Sequence, residues 1–219
     1  MNGIRRARED LAWYVRHLGV LRAARRVARL CLDAASRTIY SRSDLVVHCA
    51  DLERWPDFTP PGGLTIRPAQ ASDFHRLAAR LPLSVIRGFR GRMREGQIMF
   101  LAEVEGVPAG YAWMCTQPDA RAPASRGLQL EPGEGLHWSS FTFEDFRQRG
   151  IYTALQRFSR SYMKARGCVR VYGGADTRNP APLRMMKRLG LRPVHLCRVR
   201  RVLGHRRQWV EPVAPAPKP

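Results

Sequence analysis

The side chains best suited to chemistry lie between His137 and Phe158. Trp138, Phe141 and Phe143 alternate with Ser139, Ser140 and Thr142, a polar turn runs from Glu144 to Gly150, and Ile151, Leu155 and Phe158 then recur at helical spacing. The order is strand, glycine-containing turn, helix. At such a junction the first N–H groups of the helix lack intrahelical acceptors and lie at the positive end of its dipole, which favours a phosphate or other anion. Arg147 and Arg149 add positive charge there, and Gly150 lets a ligand approach the backbone closely. Two groups nearby can handle protons. Glu144 stands at the end of the strand, where burial would make its carboxyl a candidate general base; capping the turn or pairing with Arg147 or Arg149 is the structural alternative. His137 starts the same strand and belongs to the side-chain type that titrates near neutrality, although histidines at strand ends also serve as packing. Tyr111, Trp113 and Trp138 would line an acceptor groove or fill the core.

Arg147, Gly150 and Tyr152 fall on the three positions of motif A of the GNAT superfamily of N-acetyltransferases, which reads Gln or Arg, two residues, Gly, one residue, Gly or Ala. The turn resembles that motif, with Tyr152 in place of the small residue. The run NPAPLRMMKRLGL, Asn179 to Leu191, is similar to the family's later motif, an Asn that opens a helix ending in Gly and an aromatic, here Leu191. The resemblance covers residues 64 to 200. It implies an acyl-CoA co-substrate, acetyl-CoA or another, whose pyrophosphate is held by the loop and helix start: Arg147, Gln148, Arg149, Gly150, Ile151, Tyr152 and Thr153. It also places the acyl carbonyl and pantetheine along the strand from Ser140 through Phe141, Thr142 and Phe143, with Asn179 at the start of the later helix. Direct transfer to the amine of a small-molecule or peptide acceptor is implied, in a ternary complex, without a metal or a covalent enzyme intermediate. The family's proton donor to the departing thiolate is a Tyr four residues before the Gly of the later motif. Met186 occupies that position and cannot donate, so Tyr152, another hydroxyl or solvent must serve.

These groups need a scaffold, and the chain supplies one in order. Ile4 to Ala35 reads as two basic helices broken near Gly19; Val20, Ala24, Val27, Cys31 and Ala34 form an apolar stripe opposite Arg22, Arg25, Arg26 and Arg29. Such a pair packs on the rest of the protein or a second subunit, or lies on an anionic membrane surface. Asp44 to Asp51 reads as a short strand, and Pro60 to Gly63 as a linker that bounds a domain. Leu64 to Arg67 is a strand, Ser72 is expected to cap a helix reaching Leu81, and Leu83 to Glu95 is a second helix. Ile98 to Val104 and Pro108 to Thr116 form a hairpin, and Gln117 to Gly135 a mobile loop. The helix after Gly150 ends near Gly167, Val169 to Tyr172 is a buried strand, Pro180 opens a helix closed by Gly190, and two basic strands follow, Arg192 to Leu203 and Arg206 to Val210. The expected fold is α/β in the α+β sense: a GNAT fold with a mixed, mostly antiparallel central sheet flanked by helices and an N-terminal helical extension. The expected division is an extension over residues 1–60, an acyltransferase domain over 61–205 and a Pro-rich tail over 206–219.

Composition narrows the function classes. The 219 residues carry a formal charge of +20, but 35 of the 38 basic residues are arginines spread over the whole chain, with no nucleic-acid module signature. Nucleic acid is therefore not the expected partner, and peripheral membrane contact would come through the N-terminal helices. Five isolated cysteines form no metal or redox pair and suit a reducing compartment, so a cytoplasmic protein is expected; a monomer and a homodimer are both open. The alternatives to an acyltransferase are a non-catalytic GNAT-fold module and a basic protein that binds nucleic acid or membranes.

Overall fold

The computed structural model of the chain describes residues 2–117, 128–203 and 205–213. In order, these form α1 (Asn2–Leu18), α2 (Val20–Ile39), β1 (Tyr40–Asp51), β2 (Leu64–Pro68), α3 (Phe74–Ala78), α4 (Leu83–Arg94), β3 (Ile98–Val104), β4 (Val107–Cys115), β5 (Glu134–Thr142), α5 (Ile151–Ala165), β6 (Arg170–Asp176), α6 (Pro180–Arg188), β7 (Arg192–Val202) and β8 (His205–Pro212). Among the described residues two compact units are formed, one from residues 2–42, 70–95, 200–203 and 205–207, the other from 43–69, 96–117, 128–199 and 208–213. No described helix is long and apolar enough to cross a membrane.

The first unit is mainly helical, with short pieces of strand at residues 40–42, 200–202 and 205–207. Gly19, at φ +77°, ends α1 by donating its N–H to Val15 O at 3.0 Å and allows α2 to start at once. The Trp13 indole donates to Ala78 O at 3.3 Å and the Ser84 N–H to Asp10 Oδ1 at 3.2 Å, tying α1 to α3 and α4. Ser72 does not cap α3. A 3₁₀ turn at Ala71–Asp73 precedes the helix, and the buried Asp73 carboxylate accepts the Gln70 N–H at 2.7 Å. A carboxylate is the stronger acceptor, which favours this arrangement over a serine cap.

The second unit is built on an eight-stranded sheet ordered β2-β3-β4-β5-β6-β1-β7-β8. Pairing is antiparallel from β2 to β5, parallel between β5 and β6, and antiparallel between β6 and β1. Positive φ at both Glu105 (49°) and Gly106 (76°) makes the tight turn of the β3–β4 hairpin, matching the twist of the strands. Two strands are longer than their apolar runs predict. β1 starts at Tyr40, and β6 continues through Gly173 and Gly174 to Asp176 because His48 and Val47 of β1 pair opposite those glycines. β1 is part of the sheet, and the chain first passes from one unit to the other at residues 42–43. The segment after β1 runs along α5: Leu52 N–H donates to Val169 O (2.9 Å), the Trp55 indole to Arg157 O (3.4 Å), Phe58 N–H to Ser161 Oγ (3.3 Å) and Lys164 Nζ to Trp55 O (2.7 Å). Of the expected 117–135 loop, residues 118–127 lie outside the described residues, and Glu134 and Gly135 are already strand. The last six residues of the tail also lie outside them.

The amphipathic faces of α5 and α6 cover one core cluster. Leu155, Met163 and Met186 meet Val171, Ala175, Phe100 and Met114 there, all nearly fully buried. A second cluster gathers Leu45, Val47, Leu136 and Cys197. In β1, Ala50 belongs to the first cluster and Leu45 and Val47 to the second, as strand alternation requires.

Candidate active site

The site begins where β5 stops following its neighbours. Trp138 lies opposite Trp113 and Phe141 opposite Tyr111, so Ser139 and Ser140 together face Ala112 alone. This is a β-bulge, and Ser139 takes φ +52° to make it. On the other side, β5 and β6 pair only from Glu134–Arg170 to His137–Gly173, although the strands run on to Thr142 and Asp176. Two parallel strands thus part at His137 and Gly173, and Ser140 to Thr142 border the gap.

The chain then forms a 3₁₀ turn at Glu144–Phe146 and enters α5 through Gly150, whose φ of +72° is the left-handed conformation glycine adopts without strain. Gly150 O accepts the Ala154 N–H at 3.0 Å, the first bond of the helix, so the amides of Ile151, Tyr152 and Thr153 precede the intrahelical pattern. No side chain caps this end and no acid stands in the first turn. A Cβ built on Gly150 meets no atom within 4 Å, so the backbone is approachable there. Arg149, Gly150, Thr153 and Arg157 line one side of a cavity of about 470 Å³, and Phe58, Thr59, Pro61 and Leu64 the other. The helix start that the sequence marks as an anion site is therefore bare, cationic and open, and its apolar wall comes from Phe58, from Pro61 of the stretch read as a linker, and from Leu64 at the start of β2.

The individual expectations fare differently. Arg147 and Arg149 are exposed; Arg147 lies 3.9 Å from Glu144, and the Arg149 guanidinium stacks on Phe146. Glu144 has a side chain 90 % exposed, so the burial expected of it is absent and the pairing with Arg147 is present. Gln148 is exposed with φ +65°, and Ile151 is buried in the core, leaving only its backbone for a ligand. Tyr152 is half-buried against the core, and burial pushes its phenol pKa up despite the opposing charge of Arg160. Phe141 is partly exposed, Phe143 is buried, and both pack on Tyr111. Thr142 is half-buried, Thr153 lines the cavity, and Asn179 is exposed at the start of α6 without a side-chain cap bond. Met186 is 3 % exposed and apolar, so no proton donor stands at that point of α6.

A polar cluster that the strand and helix patterns do not announce lies beneath the parting strands. Arg160, fully buried on α5, donates from Nη1 to Gln156 O at 3.0 Å and Gln156 Oε1 at 2.6 Å. Its guanidinium stacks on Trp55, and Nη2 lies 3.5 Å from the point where a Gly173 side chain would start. Gly173, paired with His48 on one side and His137 on the other, leaves the room that the guanidinium fills. Gln156 Nε2 reaches His137 Nδ1 at 3.3 Å and Ser140 Oγ at 3.1 Å. Burial, then the Arg160 charge, hold the His137 pKa well below 6.5; burial also lowers that of His48. Burial brings Arg160 itself down to about 10. Arg160 Nε and Nη2 and His48 Nδ1 have no partner among the described residues. The sequence does carry one signal of this cluster: Tyr152, Gln156 and Arg160 recur every four residues along the inward side of an amphipathic helix.

The arrangement fits an extended ligand with an anionic group at the α5 start and a chain between β5 and β6. A model of the Acetyltransferase (GNAT) family matches residues 63–191, more than half of the chain. No curated protein matches by sequence. Among solved structures, a protein from Novosphingobium aromaticivorans described as a GNAT-family acetyltransferase is 18 % identical with a TM-score of 0.54, over 80 % of this chain and 66 % of its own. The GCN5-related glucosamine N-acetyltransferase region of a fungal multi-domain β-N-acetylglucosaminidase gives 14 % and 0.56, over 78 % of this chain and 22 % of that one. The chain thus spans under two thirds of either structure's length, and at these identities the likeness is one of fold. Motif, sheet and family match agree, and the chain belongs to the GNAT acetyltransferase family.

Proposed function

We propose that the protein is an acyl-CoA-dependent N-acyltransferase that moves an acetyl or related acyl group directly to an amine in a ternary complex. The observation that carries this reading is the uncapped, open start of α5 at Gly150 beside the gap between β5 and β6. Acyl-CoA supplies an activated thioester. The residues fit it: Arg147, Gln148, Arg149 and the amides of Gly150 to Thr153 for the pyrophosphate, Phe141 to Phe143 along the pantetheine, and Asn179 at the head of α6. Glu144, exposed and paired with Arg147, serves as the base through water, and Tyr152 places a hydroxyl one turn above Gln156. The acceptor is a small-molecule or peptide amine. Thiol release from acetyl-CoA with a panel of amines tests the reading; CoA binding without release with any amine would favour a non-catalytic module.

The N-terminal helices support a second contact. Leu11, Val15 and Leu18 are exposed at helical spacing on α1, and Leu21 and Leu32 on α2 are 77 % and 71 % exposed, beside Arg22, Arg25 and Arg29. Apolar side chains flanked by arginines suit an anionic lipid surface. The intact protein should co-sediment with anionic vesicles at low salt and be released by high salt; no binding at low salt would remove the reading.

A further inference from the structure

The buried polar row on α5 ends at a hydroxyl beside the gap, and its hydrogen bonds leave one proton over. Arg160 donates to Gln156 Oε1 at 2.6 Å. A guanidinium can only donate, so the amide is held with its oxygen toward Arg160 and Nε2 toward His137 and Ser140. His137 Nδ1 therefore accepts. Because the buried ring is neutral, its single proton sits on Nε2, 3.5 Å from Ser140 Oγ. The tautomer is thus assigned from the bonds around it.

Ser140 and His137 consequently have the opposite polarity to a nucleophile and its base. The imidazole N–H points at the hydroxyl oxygen and cannot take its proton. Ser140 Oγ accepts from Gln156 and His137, which fills both lone pairs, and its own O–H donates to neither. The bulge makes this possible. With regular alternation His137 and Ser139 would share a side; the extra residue, turned at Ser139, brings Ser140 onto the side of His137 instead.

We propose that the Ser140 O–H donates a hydrogen bond to the sulfur of the bound acyl-CoA, the part that Met186 cannot play; this rests on the acyl-CoA reading of the gap. When the amine nitrogen bonds to the carbonyl carbon and the C–S bond breaks, the bonding pair stays on sulfur. Ser140 stabilises that thiolate while keeping its own proton, and the surplus amine proton leaves to water, so the step needs no further reactant. Ser140 is thus a catalytic residue beside the base, and Gln156, His137 and Arg160 position it.

The test needs no acceptor. Isotope-labelled CoA, bound to the intact protein as shown by calorimetry, is titrated by NMR to follow ionisation of its thiol. In Ser140→Ala the bound thiol should ionise about one pH unit higher than in wild type, a roughly tenfold loss of thiolate at fixed pH. Ser140→Thr, which keeps the hydroxyl, should titrate as wild type. Gln156→Met frees the hydroxyl to turn toward His137 and should shift in the direction of the alanine variant. Unchanged ionisation in Ser140→Ala, or a shift that appears only in Tyr152→Phe, would overturn the proposal. Failure of wild type to bind CoA would overturn the acyl-CoA reading beneath it as well.

Discussion

Arg160 is the residue on which the local chemistry turns. A guanidinium buried without a carboxylate is expensive, and the cation stays because Gln156, the Trp55 face and the empty side of Gly173 receive it. Burial first, and the Arg160 charge after it, depress the pKa of His137 and His48. The unfolded chain therefore takes up protons below about pH 6.5 that the folded chain refuses. Stability is full above that value and falls as pH drops toward the folded pKa values. The melting temperature of wild type should drop between about pH 7.5 and about pH 5.5, and His48→Asn should drop less. Equal pH dependence in the two proteins would show that His48 is not part of the effect.

At the scale of elements, α5 does two things: its first turn offers amides to an anion, and its inward polar row reaches the parting strands. Both it and α6 were legible because apolar period, Gly150, Pro180 and Gly190 are local signals. The bulge in β5 was not legible, since it exists only in the register between Trp138–Trp113 and Phe141–Tyr111. The same holds for β6, whose two glycines read as a stop until β1 is seen to pair with them, and for Ser72, displaced by Asp73. Glu144 opens the 3₁₀ turn just past β5, and its exposure depends on how that turn leaves the sheet. Gly110 shows how tightly the bulge is held: a Cβ there would stand 2.7 Å from Phe141 O and 3.3 Å from Leu155 Cδ1. Gly110→Ala should force β4 and β5 apart at a cost of about 1–3 kcal/mol. Urea unfolding should show a lower midpoint at unchanged slope, and a wild-type midpoint would contradict this packing.

At the scale of the whole molecule, the strand order, the family match over residues 63–191 and the helix-start site agree. A charge of +20 would favour the anionic co-substrate proposed above, so CoA affinity should weaken as salt rises. The bare start of α5 is proposed to hold the phosphates of an acyl-CoA. Calorimetric titration of CoA into wild type and Gly150→Asp tests it most directly. Aspartate adds bulk and negative charge at the open left-handed position, so heat of binding should be measurable for wild type and absent for the variant. Wild-type affinity in Gly150→Asp would contradict the account.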